Sequence, residues 1–165
     1  MKTKRKNKGF TLLEIMIVIS ISAVLVGMVA VSASMIKRAN VAKATQKLQK
    51  KVQQARSLSM AKGEAAGKLK IQITGGNVYA QVGADGDREL ICGGSVKVIC
   101  EKSHEHKGLK NMSGSSAGME VEYNTAGMLK LDTDGARIYI ADKDFTRQSE
   151  ILIYTLTGKS EAHDL

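Results

Sequence analysis

The sequence predicts an α+β fold: one long N-terminal helix, half apolar and half amphipathic, packed on a small antiparallel β head. Three observations predict it. From Ile15 to Ile36 run 22 residues without a formal charge, mostly Ile, Val, Leu, Met and Ala. From residue 37 the apolar positions recur at helical spacing. After Gly67 the period changes to two, punctuated by glycine-rich turns. The chain of 165 residues contains no proline, so an uninterrupted helix is permitted.

Residues 1–9, MKTKRKNKG, are polar, basic and too short to fold alone. Residues 10–36 read as a transmembrane helix, because their uncharged run reaches roughly 30 Å at about 1.5 Å per residue, the thickness of a bilayer core. Residues 37–62 continue as an amphipathic helix. Val41, Leu48, Val52, Ala55 and Leu58 fall near one face, with Lys43, Lys47, Lys50, Lys51 and Arg56 largely elsewhere. Together the segments predict one helix from Phe10 to Lys62, about 80 Å long. Gly63 is a natural stop and Gly67 belongs to a loop.

Residues 68–165 form the β-rich head. Leu69, Ile71 and Ile73 alternate with polar residues, Gly75-Gly76 turns the chain, and Val78, Ala80 and Val82 return: a hairpin signature. Further strands are expected at Glu89–Cys92, Ser95–Cys100, Met119–Tyr123, Met128–Leu131, Arg137–Ala141 and Ile151–Leu156. Turn-rich stretches separate them, and residues 101–118 read as a polar loop. About 100 residues suffice for one small core, and the amphipathic helix supplies its cover.

The net charge of +9 is a sum of unlike parts. Residues 1–9 carry +5, Glu14 contributes −1, residues 37–70 carry +9 and residues 71–165 carry −4. A basic chain raises the question of nucleic acid. Here the positive charge lies in the first nine residues and on one helical segment, while the head is mildly acidic, which argues against it. The basic segment suits subunit pairing, an anionic lipid surface or plain solvation.

The sequence Lys8-Gly9-Phe10-Thr11-Leu12-Leu13-Glu14, followed by Ile15-Met16-Ile17-Val18-Ile19, resembles the cleavage and methylation signature of type IV prepilins and type II secretion pseudopilins. The resemblance implies that a prepilin peptidase cuts after Gly9, that Phe10 becomes the N-methylated first residue, and that Glu14 is the fifth residue of the mature chain. It also implies a single-pass protein of the bacterial cytoplasmic membrane with an extracytoplasmic head. The partners would be that peptidase, sibling pilin or pseudopilin subunits, the inner-membrane assembly platform and membrane lipid. The order of parts is physically coherent. An ordinary secretory signal loses its apolar region on cleavage, whereas here the apolar segment follows the cut and is kept as an anchor. A carboxylate within such a segment costs a few kcal/mol and so requires a partner. The α-amino group freed at Phe10 of a neighbouring subunit is one, and the pairing would set register. Ser20, Ala23, Gly27, Ala30 and Ser34 add a small-residue stripe where membrane helices can approach closely.

The head also carries a resemblance. Val121-Glu122-Tyr123-Asn124-Thr125-Ala126-Gly127, then Arg137-Ile138-Tyr139-Ile140, then Ile151-Leu152-Ile153-Tyr154 with Gly158-Lys159, is similar to the C-terminal half of the H-type minor pseudopilin. The alternative function is a DNA-uptake (competence) minor pilin that binds DNA. Such H-like pilins use clustered arginines near the C-terminus, and here that end reads Gly158-Lys159-Ser160-Glu161-Ala162-His163-Asp164, with one basic residue and two acids.

Cys92 and Cys100 are the two cysteines. If Gly93-Gly94 makes a two-residue turn, Cys92 faces Ser95; if the turn centres on Val96, the two cysteines face each other. Export of the head favours a disulfide between them. The spacing of Cys92, Cys100, His104 and His106 fits no common zinc module. The acidic stretches at 85–87, 132–134 and 142–144 lack the closing glutamate of a calcium loop and read as turns. No metal site, cofactor motif or nucleophile–base set is evident, and catalysis is not expected.

Overall fold

The computed structural model describes residues 10–84, 86–101, 118–130, 135–146 and 148–165, with the side chains of Val29, Ala30, Val31 and Ala33 outside the description. The expected features at Gly9 and the leader, Asp85, the loop with His104 and His106, and 131–134 lie outside these residues. The chain divides into two compact units, one ending at Ile36 and one spanning Lys37–Leu165.

One helix, α1, has the bounds Leu12–Lys62. Its stop is a glycine event: Gly63 adopts φ 93°, a left-handed conformation that costs glycine little, and its N–H donates to Ser59 O at 3.0 Å. A short 3₁₀ turn over Glu64–Gly67 follows. Within the second unit the buried face of α1 comprises Val41, Ala44, Thr45, Leu48, Val52, Ala55 and Ser59. The two hydroxyls on that stripe are satisfied inside the helix: Thr45 Oγ1 donates to Val41 O at 3.0 Å and Ser59 Oγ to Arg56 O at 2.8 Å.

The head contains two four-stranded antiparallel sheets. The first has the order β3-β2-β1-β5, built from β1 (Leu69–Thr74), β2 (Asn77–Val82), β3 (Glu89–Cys92) and β5 (Met119–Val121). The second has the order β4-β6-β7-β8, built from β4 (Val96–Glu101), β6 (Gly135–Asp142), β7 (Gln148–Tyr154) and β8 (Ser160–Asp164). The predicted hairpin forms with Leu69 opposite Val82 and Thr74 opposite Asn77. Its turn is possible because Gly75 and Gly76 both take positive φ, 59° and 78°. Inward residues of both sheets and the helix stripe make a single core, including Leu48, Leu69, Ile71, Val121, Ile138 and Ile151.

Three expectations need correction. Cys92 and Cys100 do not meet: β3 and β4 are consecutive in sequence but belong to different sheets, and both thiols are free. The segment Gly93–Ser95 is a corner between sheets, closed by Val96 N–H on Gly93 O at 3.1 Å, rather than a hairpin turn. Met128–Leu131 is not a strand over its described residues; Leu129 makes only an isolated bridge to Tyr123. The tail is a strand: β8 pairs with β7, Ser149 opposite Asp164 and Ile153 opposite Ser160. Gly158-Lys159 therefore lies in the connection that turns β7 into β8.

Candidate functional site

The N-terminal end of α1 is locally encoded. Thr11 precedes the first helical residue, and its side-chain oxygen accepts the Glu14 N–H at 3.2 Å. Its carbonyl accepts the same N–H at 3.1 Å and that of Ile15 at 3.3 Å. Thr11-x-x-Glu14 is thus half of a capping box, a threonine cap with a glutamate three residues on. Glu14 also sits in the first turn, where the helix dipole favours negative charge. The signal is legible in the sequence as a threonine followed three residues later by a glutamate at the start of an apolar run.

Beyond the cap the helix offers apolar side chains in every direction. From Phe10 to Ile36 the large apolar side chains that are described range from 50% to 79% exposed. An apolar stripe on one side implies a globular core; apolar residues all round imply burial by something other than the same domain. The serines do not spoil this surface. Ser20, Ser22 and Ser32 turn their hydroxyls back on Met16, Val18 and Met28 carbonyls at 2.8–3.0 Å, so these three hydroxyls are satisfied within the helix. Of the small-residue stripe, Gly27 has open space where a Cβ would stand. Taken over the described residues alone, no helix is long and apolar enough to cross a membrane. The uncharged run of the sequence includes the four positions, 29–31 and 33, that the described side chains omit.

The basic segment after residue 36 is less available than its charge suggests. Lys37 binds Asp144 at 2.6 Å, Lys51 binds Glu89 at 2.8 Å, and Lys68 bridges Glu120 and Glu122 at 3.0 and 2.8 Å. The Asp144 partnership raises the Lys37 pKa, while Lys51 holds Glu89 below the usual carboxylate range. Lys47 Nζ donates to Leu90 O at 3.2 Å. The Lys37, Lys47 and Lys51 contacts fasten the amphipathic helix to the head, and the Lys68 pairs lie within the head.

Neither cysteine is a reactive thiol. Burial pushes Cys92 up to about 11, only partly offset by the Lys47 charge, and Cys100 up to about 12. Among the described residues no three metal-ligating side chains come together. The acidic stretch at 142–144 is turn chemistry: the Asp142 carboxylate accepts the Thr146 N–H at 2.8 Å and its hydroxyl at 2.6 Å, and Phe145 takes φ 55°.

Comparison with protein families finds the prokaryotic N-terminal methylation motif over residues 4–30. That match supports a type IV pilin-like family, in which subunits are generally structural and not enzymatic. It covers Gly9, Phe10 and Glu14 and ends before the head, so it carries nothing about the H-type likeness. Comparisons with curated proteins and with solved structures find no match.

Proposed function

We propose that this chain is a structural minor pilin or pseudopilin subunit, nearest in its head to the H type, of a type IV pilus or type II secretion pseudopilus. Prepilin peptidase cuts after Gly9 and Phe10 is N-methylated. Residues 10–36 then anchor the subunit in the cytoplasmic membrane, head outward. The assembly platform transfers it from lipid into a filament of sibling subunits.

The observation that carries this reading is the all-round exposure of apolar side chains on the Phe10–Ile36 helix, at the residues where the methylation motif falls. Such a surface needs an apolar environment on every side. Lipid supplies it before assembly, and neighbouring helices supply it afterwards. Glu14 is the exception in that surface, and the Phe10 amine of a neighbour would neutralise it.

The test is intact-mass analysis of the membrane-extracted protein. The expected species lacks residues 1–9 and carries one methyl group on Phe10. A mature chain that begins at Met1, or beyond the apolar run, would overturn the proposal.

A further inference from the structure

The first residue of the second unit is fastened to one turn of the head. Lys37 Nζ binds Asp144 at 2.6 Å, so the β6–β7 turn stands beside the point where that unit begins. Arg38, the next residue, lines a recess with Gln148 and Ser149 at the start of β7.

Two features of this turn are not explained by the core of the head. The first is Phe145. It takes φ 55°, in the left-handed region that a bulky side chain seldom occupies. Its ring lies outside the core, with Lys97 Nζ over one face at 4.5 Å from the centroid. The backbone there is held: Phe145 N–H donates to Asp142 O at 3.2 Å, and Phe145 O accepts from Gln148 Nε2 at 2.7 Å. The second feature is charge. Asp142 is buried and binds Thr146, while Asp144 is taken by Lys37. Asp164, which lines the Arg38 recess, accepts the Ser149 hydroxyl at 2.7 Å. Arg38, Lys97 and Lys143 are exposed and, among the described residues, have no carboxylate partner. The acids are used inside the head and the cations are left outward. An aromatic ring among outward lysines and arginines suits the headgroup layer of an anionic membrane.

Chain continuity decides what this end of the head meets. Lys37 directly follows the apolar segment. As a helix, residues 10–36 reach about 40 Å, comparable with a bilayer including its headgroups. With that segment in lipid, Lys37 and the turn bound to it lie at the headgroups.

We propose that the β6–β7 turn rests on the membrane surface, with Phe145 at headgroup level and Arg38, Lys97 and Lys143 against anionic phospholipid. An unassembled subunit then waits with its head held on the bilayer instead of swinging from the anchor. The inference rests on the membrane anchor of the filament reading and goes beyond it.

The test uses the full-length chain in nanodiscs of phosphatidylglycerol or of phosphatidylcholine, each brominated on the acyl chains. The chain contains no tryptophan, so Val24→Trp, Phe145→Trp and Leu156→Trp each place one reporter. Leu156 is exposed on the β7–β8 turn, whose Gly158 packs on Arg56, about 29 Å further along α1 than Lys37. Fluorescence should be quenched for Val24→Trp in both lipids, for Phe145→Trp in phosphatidylglycerol, and for Leu156→Trp in neither. Adding Lys143→Gln to Phe145→Trp should lower the ratio of docked to undocked heads about fivefold, the share of one cation at an anionic surface. Amide exchange of the wild-type turn, slower in phosphatidylglycerol than in phosphatidylcholine, keeps the test independent of how Phe145→Trp folds. Equal exchange in the two lipids, or equal quenching of Phe145→Trp and Leu156→Trp, overturns the proposal. Quenching of Val24→Trp without that of Phe145→Trp also overturns it, leaves the anchor intact and turns the patch toward a protein partner. Quenching of neither overturns the anchor as well.

Discussion

Glu14 carries two roles at one position: the third helical residue of a capping box and a lone carboxylate in an apolar surface. Glu14→Val removes the charge but leaves the Thr11 oxygen and the Glu14 backbone N–H contact available, so the helix and its membrane insertion should persist. Incorporation into filaments should fall sharply, as read by sedimentation of sheared filaments. Normal incorporation would show that Glu14 sets no register. The buried thiols give a second residue-scale expectation. Below the ordinary thiol pKa of 9.0 both cysteines are protonated in the folded and unfolded chain, and they add no pH dependence. Above it the unfolded chain releases its protons first, so stability is lost as pH rises from about 9 toward the folded values of about 11 and 12. The urea midpoint of the head should therefore fall less steeply between pH 8.5 and 10.5 (approximate limits set around those values) in the Cys92→Ala, Cys100→Ala double variant than in the wild type. Equal slopes would mean that the thiols are not buried as described.

At the scale of the element, the second half of α1 is held by its stripe more than by its charges. Leu48 is completely buried at the centre of that stripe and packs into the core that both sheets share. Leu48→Ala should cost about 2–5 kcal/mol in denaturant unfolding. Lys68→Gln, which removes an exposed partner of Glu120 and Glu122, should be nearly silent, because solvent and salt screen such pairs. The strand β6 shows the limit of local pattern. All eight of its residues are buried, with no alternation between faces, so the local pattern marks only Arg137–Ala141 of it. Both faces are covered, and that is decided by what packs on the strand.

At the scale of the whole molecule, the charge distribution and the pairing of the head argue together against a nucleic-acid role. Residues 37–70 carry +9 and residues 71–165 carry −4. Within the basic segment Lys37, Lys51, Lys68 and Lys70 are engaged by carboxylates of the head. Duplex DNA needs accessible clustered cations and releases counterions on binding. A soluble piece from about residue 37 should be a folded, β-rich monomer by circular dichroism and sedimentation, and should bind duplex DNA only weakly at about 150 mM salt. Tight binding there in a gel-shift assay would revive the DNA-uptake alternative.

The sequence by itself determined whatever depends on neighbours along the chain. The helix follows from an uncharged run, helical periodicity and absence of proline; its end follows from Gly63; the first hairpin follows from alternation around Gly75-Gly76. The processing motif is linear because a peptidase reads a linear segment. Tertiary structure alone decided which strands become partners. Two strands flanking Gly93-Gly94 look like a hairpin locally, yet they enter different sheets, because β3 pairs with β2 and β4 pairs with β6. For the same reason the cysteines stay apart and the polar tail 160–164 becomes β8, a strand with little apolar pattern that forms by completing the edge of β7.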